Sequence, residues 1–406
     1  MFEASDRAGG VVRTERRDGY LLELGPNTVR PTPELFVLVD ELGLGGEVLL
    51  ADARLARYVD FGGRLNALPM SPAALLATKL LSPRGKLRIL REPFVRRGDP
   101  SKESVRAFFA RRFGPEVADR FVEPFVSGIW AGRSDALSVV HTFPDLVRAE
   151  AESGSVIRGQ VAALSRRGRP NGSRRGLLSF VSGLEALPRR LAEELGPRVR
   201  FRTPVESIRR RGNGWLLEAA GEEVEADAVC LATPARDAAR LLKALDPEAA
   251  AALQSVPHPP LVVLHVGSRG PIPHRGFGHL VVPQPARRIL GAVWSSNLFP
   301  GRAPDGASLL TVFLGGARDP AAIDLSDADL LAAASRDLEA ALGTRTALEP
   351  IRATRYPRAL PQYDLEHGER LTRLARAERA LPGLTLLGNF RGGVSVGDVI
   401  RSAQAL

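Results

Sequence analysis

Phe2-Glu3-Ala4-Ser5-Asp6-Arg7-Ala8-Gly9-Gly10 is the stretch on which the reading of this chain turns. It has the form of a strand end followed by a turn that closes on two glycines. A carboxylate at the C-terminal end of a strand in a doubly wound sheet is where nucleotide ribose hydroxyls are held. Paired glycines let a backbone turn with positive φ or pass close to a diphosphate. That carboxylate normally follows a Gly-x-Gly-x-x-Gly turn by about 20 residues, whereas Glu3 is the third residue here. Glu3 is therefore either an ordinary surface glutamate or the sequel to a strand, glycine turn and helix lying upstream of Met1.

Working outward, Tyr20 to Leu24 is strand-like and Gly25-Pro26-Asn27 turns it. Thr32 to Leu44 carries Leu35, Phe36, Leu38, Val39 and Leu42 on one broad face, with Gly43 as a stop, which predicts a helix. Arg57 to Phe61, Gly62-Gly63 and Arg64 to Leu68 predict a hairpin. From Ser71 to Ala163 the pattern becomes helical. Val105, Phe108, Phe109, Phe113, Phe121 and Phe125 stand there among many arginines, as the core of a helical subdomain or as a patch resting on a bilayer. Arg166 to Arg175 is a basic, glycine-bearing loop. Beyond it α/β patterning returns, with strands at Leu177–Phe180, Val199–Arg202, Val205–Ile208, Trp215–Ala219, Val224–Ala226 and Asp227–Thr233. Cys230 sits mid-strand and reads as a buried small hydrophobe. Pro257 and Pro259-Pro260 open a second set of strands at Leu261–Val266, His279–Val282, Ile289–Trp294 and Leu309–Leu314, followed by a helix over Leu325 to Leu342. His265, inside its apolar strand, reads as a satisfied core or interface residue.

The length of 406 residues allows two or three domains, and no run of about twenty apolar residues predicts a membrane span. One cysteine excludes an internal disulfide and a cysteine metal cluster. The charge of +10 comes mostly from arginines around 84–112 and 158–175. Nucleic acid is disfavoured, because no reading motif or aromatic interleaving accompanies them. An anionic lipid surface or an acidic substrate accounts for the excess.

Hydrolytic signatures are missing: no His-Glu-x-x-His, no Gly-x-Ser-x-Gly and no Walker loop occurs, and the six histidines lack metal-ligand spacing. The end of the chain is more telling. An apolar strand, Leu384 to Asn389, runs into Arg391-Gly392-Gly393-Val394-Ser395-Val396-Gly397-Asp398 and then into a helix, the arrangement in which free helix amides meet an anionic group. Together with Glu3 to Gly10 and the Val229 to Thr233 strand, it predicts one nucleotide site assembled from distant segments. A bound nucleotide without an evident acid–base pair fits redox chemistry, in which the cofactor carries the hard step.

The chain resembles the flavin-dependent protoporphyrinogen oxidase family, within the monoamine-oxidase-like flavoproteins. The resemblance runs over nearly the whole chain. Glu3-Ala4-Ser5 with Gly9-Gly10, Leu24-Gly25-Pro26-Asn27, Phe113-Gly114-Pro115-Glu116-Val117 and Ile129-Trp130-Ala131-Gly132 carry it. So do Gly276-Phe277-Gly278-His279-Leu280-Val281, Leu314-Gly315-Gly316, Pro361-Gln362-Tyr363 and Gly392-Gly393-Val394-Ser395-Val396. It implies an α/β fold with α+β parts. The expected units are a discontinuous, Rossmann-like FAD-binding domain (1–56, 176–256 and 381–406), a mixed-sheet substrate domain (57–70 and 257–380) and a helical membrane-associating domain (71–175).

In that family setting Glu3 resembles the ribose carboxylate ligand. Gly9, Gly10 and Gly25 resemble neighbours of the diphosphate and flavin, and Val205 the residue that meets adenine through its main chain. Gly393, Val394 and Val396 resemble residues lying against the flavin. Arg57 resembles the arginine that pairs with a substrate propionate; on its own it reads as a surface strand arginine. Phe277, Gly278, Leu280 and Phe313 resemble the apolar walls around a tetrapyrrole, although Leu280 and Phe313 fit ordinary strand cores equally. The implied reaction removes six electrons from protoporphyrinogen IX in three rounds, each passing hydride to flavin N5, with molecular oxygen as acceptor. Coproporphyrinogen III oxidation, or a non-catalytic membrane-associated homologue, is the alternative. The resemblance also implies a cytoplasmic protein, peripheral on the inner face of the plasma membrane, and allows a homodimer. The expectation is further that the glycine-rich first unit lies upstream, and that a chain beginning at Met1 binds FAD poorly or folds incompletely. Gly397 stands where related chains often carry Asn.

Overall fold

The computed structural model describes residues 1–166, 176–343 and 347–406; the basic loop expected at Arg166 to Arg175 falls, beyond the helix end at Arg166, outside them. Its central element is a seven-stranded sheet in the order Leu348–Tyr356, Leu261–Arg269, Ala307–Gly315, Ile289–Val293, Gly278–Val281, Arg57–Asp60 and Leu65–Ala67. All neighbours are antiparallel except Arg57–Asp60 and Gly278–Val281, which run parallel. The glycine hairpin forms as its sequence demands, with Gly62 at φ +65° and Gly63 at φ +75° between the paired Asp60 and Leu65.

Period-two alternation divides this sheet into two faces. Val262, Leu264, Val266, Val281, Ala292, Leu310, Val312 and Leu314 pack against Leu330, Ala334, Leu338 and Leu342 of the helix Asp327–Leu342. Ser326 starts that helix by accepting the Asp329 amide, and Gly343 at φ +72° ends it. Each fully buried leucine contributes about 1.5–3 kcal/mol, so this face is the main apolar adhesive of the region. The opposite face meets the hairpin Thr14–Arg17/Tyr20–Glu23. Tyr356 donates to Leu24 O (3.0 Å), His265 Nε2 donates to Glu23 O (3.1 Å), and Arg352 pairs with Glu15 at 2.8 Å.

Helices fill the stretch from Pro72 to Arg166. Phe108 is fully buried, with Phe109, Phe113 and Phe143 against it and Phe125 in ring contact with Phe143, so these phenylalanines form an internal core. Other residues turn outward: Leu76, Leu90, Phe94 and Leu164 are exposed, Phe94 at 82%. Inside, Arg112 is fully buried between Glu92 and Glu150. No described helix is long and apolar enough to cross a membrane.

The remaining third is mixed α/β, and it corrects one expectation. The described parallel pairings here are Val229–Leu231 with Leu384–Leu386 and a single bridge from Phe2 to Arg200. A three-stranded antiparallel meander, Val205–Arg211, Gly214–Ala219 and Glu222–Ala226, lies beside them. Cys230 is exposed rather than buried. Val229 and Leu231 take the inward positions of a three-residue strand, and alternation leaves Cys230 on the other side.

Candidate active site

Register decides what sequence left open about the substrate-side residues. Arg57 lies across from Gly278, Gly278 from Val293, Val293 from Thr311 and Thr311 from His265. Two residues on, Val59, Leu280, Gly291, Phe313 and Val263 form the next row. Arg57, Gly278, Leu280 and Phe313 thus share one face, the face turned toward the hairpin that precedes Gly25. Phe277 stands at the entry to its strand, packed with Leu55, Val293, Leu298 and Phe299, and carries the Arg57 guanidinium 5.3 Å from its ring centroid. Gly291 separates Leu280 from Phe313 where a side chain has no room: a Cβ there reaches His279 O at 2.5 Å. Leu280 occupies the space that Gly128 leaves.

Arg57 is half-buried, yet it makes no ion pair or side-chain hydrogen bond among the described residues. Neighbouring arginines differ. Arg54 is held by Asp52 at 3.0 Å and Arg287 by Asp60 at 3.2 Å. His265, on the same face, is fully buried, and desolvation holds its pKa down to about 4. It is therefore neutral, with its Nε2 proton committed to Glu23 O, while the buried Nδ1 takes no hydrogen-bond partner among the described residues, so the expected satisfied residue is satisfied on one nitrogen alone.

The residues expected to meet a cofactor come from both ends of the chain. Glu3 pairs its backbone with Arg200 and Thr203 (both 2.9 Å), and its Oε1 accepts from the Ser5 amide and hydroxyl at 2.8 and 2.7 Å. Oε2 takes no partner among the described residues. Gly9 and Gly10 adopt φ +104° and +56° in a turn folded around Arg7, whose guanidinium donates to Ala8 O, Val12 O and Glu185. Arg7 escaped the sequence reading, because its acceptors are main-chain carbonyls and a glutamate 178 residues away. Val12 from this segment and Val396 and Ile400 from the last helix pack into one cluster with Val29, Leu35 and Leu187. Gly25 is pressed against Val11, where a Cβ comes 2.0 Å from the carbonyl oxygen. Val205 lies apart, at the start of its meander, with its carbonyl accepting from Arg240 at 2.7 Å.

Gly393 (φ +139°) precedes the helix Val396–Gln404, which Ser395 and Asp398 cap reciprocally. The amides of Val394, Val396 and Gly397 have no acceptor among the described residues. Orphan amides at a helix start are suited to an anionic or carbonyl group. Those amides, the unengaged Glu3 Oε2 and the open space beyond Gly10, where a Cβ meets nothing within 4 Å, fit a flavin dinucleotide.

The sheet-and-helix arrangement is FAD-oxidase-like, and comparison with known proteins agrees. The family model for flavin-containing amine oxidoreductases matches residues 1–405. The chain is 31% identical over 435 residues to the chloroplastic protoporphyrinogen oxidase of Nicotiana tabacum, covering 99% of this chain and 79% of the relative. It is 29% identical over 433 residues to the coproporphyrinogen III oxidase of Bacillus subtilis, covering 100% and 90%. The crystal structure of a provisionally assigned protoporphyrinogen oxidase from Exiguobacterium sp. 255-15 superposes with a TM-score of 0.81 at 26% identity, covering 100% of this chain and 90% of that one. The chain belongs to the protoporphyrinogen-oxidase-like family of FAD-dependent oxidoreductases, within the amine-oxidase superfamily.

Proposed function

We propose that this protein oxidises protoporphyrinogen IX to protoporphyrin IX, transferring six electrons in three rounds to molecular oxygen, so that three O2 become three H2O2. The observation that carries the proposal is Arg57: a half-buried guanidinium without a carboxylate partner among the described residues, on the sheet face shared with Leu280 and Phe313 and beside Phe277. A guanidinium fork matches a propionate bidentately, and apolar walls bury a macrocycle while fixing its plane. FAD, when bound, supplies the two-electron acceptor. Glu3 would hold its ribose; Gly9, Gly10 and Gly25 would border the diphosphate and flavin, and Val205 the adenine. The amides of Val394 and Val396, beside Gly393, would face the flavin. The protein's own work is then to bind, orient and exclude water, with His265 held neutral by burial.

The division into FAD-binding, substrate and helical units expected from the sequence is part of this proposal. So is peripheral attachment at the cytoplasmic face of an anionic membrane, supported by the exposed Leu76, Leu90, Phe94 and Leu164 among the arginines of the helical segment. Coproporphyrinogen III is the second reading, supported by the Bacillus subtilis relative. Purified protein supplied with FAD and each porphyrinogen in turn, followed by porphyrin fluorescence and oxygen uptake, separates the two. Faster turnover of coproporphyrinogen, or none of either, removes the leading reading.

A further inference from the structure

Tyr363 is 2% exposed, and its hydroxyl lies between two main-chain groups of one turn. It donates to Asn389 O and accepts the Gly393 N–H at 3.0 Å. A buried tyrosine needs some partner for its hydroxyl, and one would suffice. Here both capacities are spent on the two ends of the Asn389 to Gly393 turn, 26 and 30 residues away in sequence.

The mount of this side chain is itself fixed from several directions. Its ring stacks on His367, with centroids 4.1 Å apart and planes within 14°, and His367 meets His141 edge-on at 5.0 Å. Ser138 N donates to Tyr363 O at 2.7 Å, Gln362 N to Pro257 O at 2.9 Å, and the Gln362 side chain to Trp130 O at 2.8 Å. The strap Gln362–Tyr363 is thus clamped to the helical segment on one side and to the Gly393 turn on the other.

We propose that Tyr363 is a positioning residue: its hydroxyl holds the Asn389 to Gly393 turn so that the Gly393 amide is turned away and the Val394 and Val396 amides are presented to the cofactor. This rests on the FAD reading above. Gly393 makes such a device necessary. At φ +139° it has no side chain to anchor it, and a Cβ there lies 2.4 Å from Asp398 Cγ, so the turn cannot be stiffened by substitution.

Tyr363→Phe tests this, because it keeps the ring stack and removes only the two hydrogen bonds. Hydrogen exchange over residues 388–396 of the apoprotein is expected to accelerate about tenfold or more, and FAD, titrated by flavin fluorescence, to bind about tenfold more weakly. Tyr363→Leu, which also removes the stack, is expected to add a loss of melting temperature. Unchanged exchange and FAD affinity in Tyr363→Phe overturn the proposal. So does a defect seen only in Tyr363→Leu, which assigns the role to the ring. If the unmodified protein binds no FAD, the functional reading falls separately. The exchange measurement then decides the tether alone: faster exchange sustains it and unchanged exchange overturns it.

Discussion

Arg57→Ala is expected to separate binding from folding. The side chain contributes little to the fold, since its one described contact is the Phe277 ring at 5.3 Å. A cation–π contact at such a site is worth about 0.5–1 kcal/mol, which predicts a melting shift within about 2 °C. Its contribution to substrate binding is larger. A charge-assisted hydrogen bond is worth about 1.5–3 kcal/mol, and each 1.4 kcal/mol is a factor of about ten. Loss of the propionate contact is therefore expected to raise KM roughly 10- to 150-fold, with kcat much less affected. Arg57→Lys keeps the charge but loses the fork, and should fall between. The assay is initial-rate porphyrin fluorescence against substrate concentration, with a thermal melt of each variant. A KM unchanged within twofold, or a melting loss of many degrees, refutes the assignment and returns Arg57 to the status of a structural strand residue.

The buried Arg302 should behave in the opposite way. Arg302 is 2% exposed, donates to Ser179 Oγ at 2.7 Å and Phe180 O at 3.0 Å, and neighbours Glu23 at 3.8 Å, so Arg302→Ala leaves a buried carboxylate unpaired and should cost about 3–5 kcal/mol in denaturant unfolding. Burial holds the pKa values of His265, His279 and His367 down to about 4, 3 and 4. The unfolded chain takes protons near 6.5 that the folded one refuses, so stability should fall as pH drops from 6.5 toward 4. Glu23, raised to about 6 by burial, opposes this weakly between 6 and 4.5. Equilibrium unfolding across that range checks the sign, and a stability that rises below pH 6 contradicts it. Replacing the exposed Leu90 and Phe94 by Ser should reduce co-flotation with anionic vesicles while leaving turnover of dispersed substrate unchanged.

Local physics was legible in the sequence; non-local pairing was not. The helix Pro33–Glu41 carries its own start in Thr32 and stop in Gly43, and the Gly62-Gly63 hairpin needs only its turn. The edge strand Leu348–Tyr356 hid behind Pro350, Arg352 and Arg355, residues an edge tolerates because one side of its ladder is unpaired. The helix His367–Ala380 hid because only His367, Arg370, Leu374 and Ala377 are buried, too sparse an apolar stripe to register as periodic. At the site, the residue types around Leu280 and Phe313 were visible, but their common face depends on register across three strands. Nothing in Pro361-Gln362-Tyr363 foretold a hydroxyl bonded 30 residues away.

Glycines were the sequence's strongest pointer to a cofactor, and the structure sorts them. At Gly25 a Cβ collides with Val11 O, and at Gly393 with Asp398, so the protein's own packing requires glycine there whether or not anything binds. Gly10 differs: its φ of +56° is one that Asn also adopts, and open space lies in front of it. Gly10→Asn should therefore cost about 1 kcal/mol or less in folding, while a side chain in the path of a bound diphosphate should weaken FAD binding at least tenfold. Gly25→Ala should lower stability by more than about 2 kcal/mol and affect FAD only through that loss. Parallel melts and flavin titrations of the two variants test the distinction. FAD affinity unaltered in Gly10→Asn would mean that the space before Gly10 is only solvent, leaving the amides of Val394 and Val396 as the backbone evidence for the cofactor.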